Sequence, residues 1–447
     1  MFDSVIWNSC VLTLEPGAKS VFPGFVAVQG SVIQAVGQGC RPGELPAARE
    51  YVDADGALVM PGLVNTHCHA PMVWFRGLAD DLPLQDWLFG KVFPAENGWL
   101  DEDKAFWGTL LAAAELIRGG VTTVADGYFY GTEVRRALAQ AGLRAVAAQG
   151  VLDFPFPGVP DPKDNLANAA RFLDSGQGFS ELITSAVFCH TPYTCGPETL
   201  KGAKALTRKA QVPLFIHLAE TRREVEELKS KTGLGPVTYL ESLEILDEFT
   251  VVVHAVWLTP EDLEILARRG VKVSHCPESN LKLASGVAPI PELLARGVAV
   301  GLGTDGAGSN NNLDLFGEMS LTARLHKVWR GDPTVLPAPE VVALATREGA
   351  RVLGLGDKTG ALAPGKQADL IVVDTNQPHL TPLYDPYSHL VYAARSADVR
   401  HAMVAGRWLM KDRRLLTLNW GDIASRARTY AQDLAAFAAA SSPGLDS

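Results

Sequence analysis

The chain has little of what would tie it to a membrane, a nucleic acid or a disulfide framework. Its 447 residues hold six cysteines (Cys10, Cys40, Cys68, Cys189, Cys195 and Cys276) and no Cys-x-x-Cys spacing. That excludes a zinc ribbon and leaves reduced core or near-core thiols as the expectation for a large acidic protein. Only 20% of residues are charged, the formal net charge is -10 and there is no basic stripe, so the counterion release that drives nucleic-acid binding is missing. No uninterrupted apolar run approaches the roughly 20 residues that span a bilayer, and residues 1–12 lack the basic and apolar regions of a secretory leader. The expectation is a cytoplasmic protein with a small-molecule partner and neither nucleic acid nor membrane. Homo-oligomerisation is left open.

What is present is abundant core material, 47% of the chain being hydrophobic. The first 60 residues read as short strands broken by glycine, at 4–14, 25–28, 31–36 and 51–59. Beyond them, short apolar strands alternate with amphipathic helices, the signature of βα units and a parallel sheet. Eight such strands are expected, at 58–69, 121–127, 144–152, 185–191, 213–220, 250–256, 271–276 and 298–305. Helices are expected at 101–118, 132–141, 197–210, 221–231, 259–269 and 290–296. Eight repeats closing on themselves make an α/β protein with a (β/α)8 TIM-like barrel. A helix is expected over 337–353, then β-rich sequence over 360–374 and 399–416, and an amphipathic helix over 420–440 ahead of a disordered tail. The expected division is a small β-sandwich from both chain ends (1–60 with 356–418), a catalytic barrel (61–355), and a C-terminal helix and tail (419–447).

Barrel enzymes build their sites from the C-terminal ends of the strands. Here strand one ends in His67 and His69, strand four in His190, strand five in His217 with Glu220 beyond it, strand six in His254, strand seven in His275 and strand eight in Asp305. Six of the ten histidines fall at these positions, a clustering that core packing does not predict. His67 and His69, two apart on a strand, point to one face and can share a cation. With His217 and Asp305 they offer three nitrogens and a carboxylate, a set that suits zinc and also ferrous iron. Strand four has no lysine to carry a bridging carboxylate for a second metal, so one divalent cation per subunit is expected, zinc in preference to iron. Glu220 is the expected proton shuttle, protonating a ring nitrogen and later the departing ammonia. His254 is expected to hydrogen-bond the attacking oxygen, and Asp305 to act as ligand, acceptor of the water proton and substrate contact. His275, Cys276 and Asn280 are expected to shape the pocket, and Trp74, Phe75 and Trp87 to pack beside it.

Several segments together resemble the amidohydrolase superfamily, and within it the methylthioadenosine and S-adenosylhomocysteine deaminases. They are Pro61-Gly62-Leu63-Val64-Asn65-Thr66-His67-Cys68-His69, Arg76-Gly77-Leu78-Ala79-Asp80-Asp81-Leu82-Pro83-Leu84 with Trp87 and Pro94-Ala95-Glu96, His217-Leu218-Ala219-Glu220, Ser274-His275-Cys276-Pro277-Glu278-Ser279-Asn280-Leu281-Lys282-Leu283, and Gly303-Thr304-Asp305-Gly306-Ala307-Gly308-Ser309-Asn310-Asn311. The resemblance covers nearly the whole chain. It implies zinc, hydrolytic loss of the adenine 6-amino group as ammonia and an inosine-type product. It further implies that Glu96 binds the ribose 2′- and 3′-hydroxyls, that His190 contacts the base, and that Glu220 and Asp305 also touch substrate.

One departure bears on the substrate. Relatives that accept S-adenosylhomocysteine carry arginines for its carboxylate at the end of strand three and in the loop after it. This chain has Gln149 at the first place and no arginine over 151–165. The expected order is therefore methylthioadenosine, 5′-deoxyadenosine or adenosine ahead of S-adenosylhomocysteine. Two other readings use the same residues: a hydrolase of another ring, such as a guanine or 8-oxoguanine deaminase or a triazine hydrolase, and, more remotely, a non-catalytic scaffold. Glu96 separates the first of these, since a ribose-binding carboxylate is of no use to a bare ring.

Overall fold

The computed structural model describes residues 1–17, 20–39 and 42–441. Cys40 and the tail beyond the last helix lie outside the described residues, and the other five cysteines are free. Among the described residues no helix is long and apolar enough to cross a membrane.

Eight parallel strands form one sheet in chain order: Leu63–Cys68, Val121–Tyr128, Arg144–Val151, Ile183–Cys189, Leu214–Leu218, Thr250–His254, Lys272–His275 and Val300–Leu302. They are numbered one to eight below. The sheet nearly closes on itself. Strand eight stops at Leu302, and the segment after it crosses to strand one, where the amides of Thr304 and Asp305 donate to the His67 carbonyl at 3.1 and 3.0 Å. Gly303 makes this approach possible, because a Cβ there would sit 2.8 Å from the Cβ of His67 and from Ser274 Oγ. The lower barrel interior is filled by Val64, Val146, Phe188, Phe215, Val251 and Val253. The barrel is thus a packed core with a site at one end.

The two chain ends share a second sheet of nine strands, mixed in direction. Its centre is Leu58–Pro61, parallel to Phe2–Val11 on one side and antiparallel to Leu370–Val373 on the other. Alternation sends Leu58 and Met60 into the core shared with the barrel and Val59 into a separate core with Ile6, Val26 and Leu370.

Three expected elements are divided. The stretch 51–59 holds two strands, Ala48–Asp53 and Leu58–Pro61, parted by a turn in which Asp55 has φ 55°. The stretch 58–69 gives its first half to the mixed sheet and its second to the barrel, switching at Gly62, where a Cβ would fall 2.1 Å from Thr122 Oγ1. The single helix expected over 337–353 is two, Ala338–Leu344 and Arg347–Val352, because the Ala345 carbonyl leaves the helical ladder to accept from the Val64 amide at 2.8 Å. The C-terminal helix Trp420–Ser441 sets Tyr430 edge-on against Trp74 and Trp99, which backs the short helix Phe93–Trp99.

Barrel and mixed sheet are joined by a buried ion pair. Arg144 on strand three meets Asp369 through Nε–Oδ2 at 2.6 Å and Nη2–Oδ1 at 3.1 Å, with Arg144 3% and Asp369 1% exposed. Removing one partner would strand the other charge in the interior. We predict that Asp369→Ala lowers unfolding stability by about 3–5 kcal/mol, read as a shift of the urea transition, whereas breaking the exposed pair Arg222–Glu226 with Glu226→Ala shifts it by about 1 kcal/mol or less.

Candidate active site

Four donors from three strand ends meet at the C-terminal mouth of the barrel. One ligand atom from each of His67, His69, His217 and Asp305 lies within 4.8 Å of every other. His217 faces inward two residues after Phe215, as strand alternation requires. Strand one is less simple. Val64 faces the interior, so strict alternation would turn His67 outward. The register against strand two shifts between Asn65 and Cys68, and such an irregularity re-aims the side chains beyond it. His67 and His69 consequently face inward while Cys68 joins the outer core.

The electrostatics of the cluster fit a divalent metal ion. Burial pulls His67 down to about 4 and His217 well below the usual imidazole value, so both are neutral near pH 7. Burial works against the Asp305 carboxylate, but its close neighbours His67 and His69 outweigh it and hold the group well below the ordinary carboxylate range. His69 Nδ1 lies 2.5 Å from the Gly127 carbonyl. A carbonyl only accepts, so Nδ1 carries the hydrogen and Nε2 presents a lone pair. That lone pair faces Asp305 Oδ1 at 3.3 Å, while His67 Nε2 lies 3.2 Å from both Asp305 Oδ1 and His217 Nε2. Lone pairs aimed at one another in a dry site are unfavourable unless a cation lies among them. The spacings are also close to the roughly 3.4 Å edges of a tetrahedron whose ligands stand about 2.0–2.1 Å from the ion. Asp305 Oδ2 is occupied by the hydroxyls of Ser279 and Ser309, each at 2.7 Å, which leaves Oδ1 for the cluster.

Glu220 and His254 complete this end of the cavity. Glu220 follows a turn in which Ala219 is left-handed (φ 50°); its amide donates to Glu224 Oε2 at 3.0 Å and its Oε1 accepts from Ser285 Oγ at 3.2 Å. Burial raises its pKa, so it keeps a proton more readily than a surface carboxylate. His254 departs from simple alternation. Val252 faces the outer core, yet the chain leaves strand six at His254 with φ 69°, and the ring comes to lie 5.1 Å from that of His217, with Nε2 3.8 Å from Glu220 Oε2. His254 Nδ1 donates to Asn280 Oδ1 at 2.8 Å. Asn280, expected only to shape the pocket, therefore fixes which nitrogen of His254 faces the site.

These groups open into a cavity that is also lined by Glu96 and His190. Glu96 stands on the helix Phe93–Trp99, 2% exposed, and burial pushes it up to about 8. The Tyr128 hydroxyl donates to its Oε1, and its Oε2 is buried without a partner. His190 Nδ1 pairs with Thr194 Oγ1 at 2.9 Å, leaving Nε2 for the cavity. The remaining wall is mostly apolar, with Met72, Leu84, Leu88, Phe93, Phe129 and Leu152 beside the polar Thr191, Tyr193 and Ser309, and among the described residues no lysine or arginine lines it.

Several expectations need correction. His275 does not face the cavity. It shares the outer face of strand seven with Val273, is fully buried, and lies with Nε2 3.5 Å from His326 Nε2 on the helix behind. Cys276 packs in the lower barrel core instead of the pocket wall. Of the three aromatics, Trp87 lines the cavity, whereas Trp74 donates to the Lys104 carbonyl at 2.8 Å and, like Phe75, packs against Trp99. Gln149 is turned away from the cavity to accept from the Gly131 amide at 3.0 Å. Tyr128 was missed, although it ends strand two as the histidines end theirs. Leu84, Leu88 and Val92, which also line the cavity, were given no role, although their spacing of four residues is a helical signal.

The comparisons agree with this geometry. Residues 58–409 match the amidohydrolase family model. A "5-methylthioadenosine/S-adenosylhomocysteine deaminase" of Syntrophobacter fumaroxidans is 49% identical, over 97% of this chain and 98% of its own. A "5'-deoxyadenosine deaminase" of Methanothermobacter thermautotrophicus is 43% identical, over 98% and 100%. Among solved structures, an adenosine deaminase of Xanthomonas campestris with bound zinc superposes with a TM-score of 0.94 at 35% identity, covering 97% of this chain and 99% of that one. A triazine hydrolase superposes with a TM-score of 0.88 but 23% identity, covering 96% and 100%, a likeness of fold alone. By its matched family, its relatives and its four-donor centre, the chain belongs to the amidohydrolase family, in the branch of the methylthioadenosine/S-adenosylhomocysteine and 5′-deoxyadenosine deaminases.

Proposed function

We propose that this enzyme hydrolytically deaminates adenine nucleosides, taking 5′-methylthioadenosine, 5′-deoxyadenosine and adenosine, and S-adenosylhomocysteine less well, to the inosine analogue and ammonia. The observation that carries this reading is Glu96 Oε2, a buried acceptor without a partner in the same cavity as the four-donor cluster. Burial pushes this carboxyl up to about 8, and two adjacent ribose hydroxyls supply the donors that favour its ionised, acceptor-only form. A bare purine or a triazine has no such pair of adjacent hydroxyls, and a scaffold has no use for the arrangement.

His67, His69, His217 and Asp305 would hold the metal, with zinc the preferred ion. When bound, a divalent cation supplies Lewis acidity that makes water a nucleophile near neutral pH. The rest is the work of side chains. Glu220, raised by burial, carries a proton to the ring nitrogen N1 as water oxygen bonds to C6. His254, with Nδ1–H committed to Asn280, accepts a hydrogen bond from the attacking water through Nε2 and holds it on line. Asp305 takes the proton that this water loses. The new C6 hydroxyl then gives its proton to Glu220, which hands it to the 6-amino group; ammonia leaves as the C6 carbonyl forms, and Asp305 releases its proton as Glu220 takes one up, so one water is consumed, one ammonia is released and both carboxyls return to their starting states. His190 is oriented by Thr194 to contact the base.

The 5′ substituent selects among nucleosides. A wall of Leu84, Leu88, Phe129 and Leu152 gains from burying a thioether methyl, but it offers no cation to an amino-acid carboxylate.

Three outcomes are expected. Glu220→Gln keeps its metal and its KM within a few-fold but loses kcat by roughly 10²–10⁴, measured by ammonia release; unchanged kcat would remove Glu220 from the proton path. Chelation abolishes turnover and stoichiometric zinc restores it, checked by metal analysis of the same sample. In a panel of adenosine, methylthioadenosine, 5′-deoxyadenosine, S-adenosylhomocysteine, guanine and a triazine, methylthioadenosine exceeds S-adenosylhomocysteine in kcat/KM by at least about tenfold, or 1.4 kcal/mol. Comparable turnover of the two would refute the assigned preference, and turnover of guanine or the triazine in place of nucleosides would refute the function itself.

A further inference from the structure

Tyr128 lies between the two ends of the cavity and is not explained by the chemistry above. It is the last residue of strand two, 4% exposed, and lines the cavity. Its hydroxyl donates to Glu96 Oε1. Its ring leans on that of His69, with centroids 6.0 Å apart at 46°. The preceding residue, Gly127, holds His69 Nδ1 through its carbonyl at 2.5 Å. Two consecutive residues of one strand therefore fix a metal-site imidazole and the carboxylate across the cavity.

We propose that Tyr128 is a positioning residue for ribose selection: it holds Glu96 by Oε1 so that Oε2 is presented to the 2′,3′-diol at a fixed place relative to the deamination centre. This rests on the reading of Glu96 as the ribose acceptor. Three features of the site require such a support. Glu96 stands on the short helix Phe93–Trp99, a different element from the strands that carry the cluster, so a side-chain tie is what sets its distance to them. Its carboxylate has one other oxygen, and that oxygen has no partner, so without Tyr128 neither oxygen would be held. The phenol is itself buried against this carboxyl and donates to its Oε1, so the tie is made away from solvent. With Oε1 occupied, the lone pairs left to a bound diol are mainly those of Oε2.

The test compares adenosine with 2′,3′-dideoxyadenosine in the zinc-loaded enzyme, in Tyr128→Phe and in Glu96→Gln. Tyr128→Phe keeps the ring and removes only the donor. The expected result is that the ratio of kcat/KM between the two nucleosides falls about tenfold or more in Tyr128→Phe. The loss should lie in KM for adenosine, and combining Tyr128→Phe with Glu96→Gln should lower the ratio no further than Glu96→Gln alone. General damage to the site slows both nucleosides alike and leaves the ratio intact. A ratio preserved in Tyr128→Phe but lost in Glu96→Gln overturns the positioning role and leaves the ribose reading of Glu96 standing. A ratio preserved in Glu96→Gln overturns both. Inhibition constants of inosine and 2′,3′-dideoxyinosine give the same ratio without chemistry, so a variant too slow to assay still returns one of these answers.

Discussion

Three imidazole nitrogens and one carboxylate oxygen are aimed at a common point in a dry interior, and most of the molecule is organised around holding them there. Left to themselves these lone pairs would separate, because burial removes the water that would otherwise satisfy them, while the same burial keeps the imidazoles from protonating. The fold holds them together. Barrel closure brings the residues after strand eight onto the His67 carbonyl, so the seam that completes the sheet also delivers Asp305. A register shift in strand one turns both of its histidines inward. The Gly127 carbonyl and the hydroxyls of Ser279 and Ser309 then use up the competing atoms of His69 and Asp305, which is how outer partners commonly set the ligands of a metal centre.

Burial sorts the ionisable groups by the work they do. The imidazoles of the cluster are kept neutral, Asp305 is held well below the ordinary carboxylate range, and Glu220 is pushed toward holding a proton. One small volume thus holds two carboxyls whose pKa values are driven apart. The cavity wall adds a selection of its own. Away from the cluster it is mostly apolar and, among the described residues, without lysine or arginine, a surface that favours groups removed from water over charged ones.

A good part of this could be read from residue order. Repeating apolar strands and amphipathic helices indicated a barrel, and the placing of histidines at strand ends indicated its mouth. The exceptions share one cause. His275 stands at a strand end like the others, yet parity with Val273 sends it to the outer face beside His326. Parity would have sent His254 outward as well, had the backbone not turned to φ 69° there. The helix over 337–353 is periodic throughout, but one carbonyl is drawn to strand one and the ladder breaks. Glu96 reads as a loop acid by itself, and becomes a buried acceptor only because Tyr128, from another element, meets it.

The sequence by itself determined the architecture, the four donors and the carboxylate that serves them, because strand and helix periods are local and a ligand has to be a particular residue type at a strand end. The tertiary structure alone decided which histidines face inward, which oxygen of Asp305 and of Glu96 is free, which nitrogen of His254 meets the site, and that Tyr128 on strand two meets both Glu96 and the ring of His69. Those are properties of pairs of atoms brought together from distant parts of the chain, and the direction of a hydrogen bond is fixed only when both partners are in place.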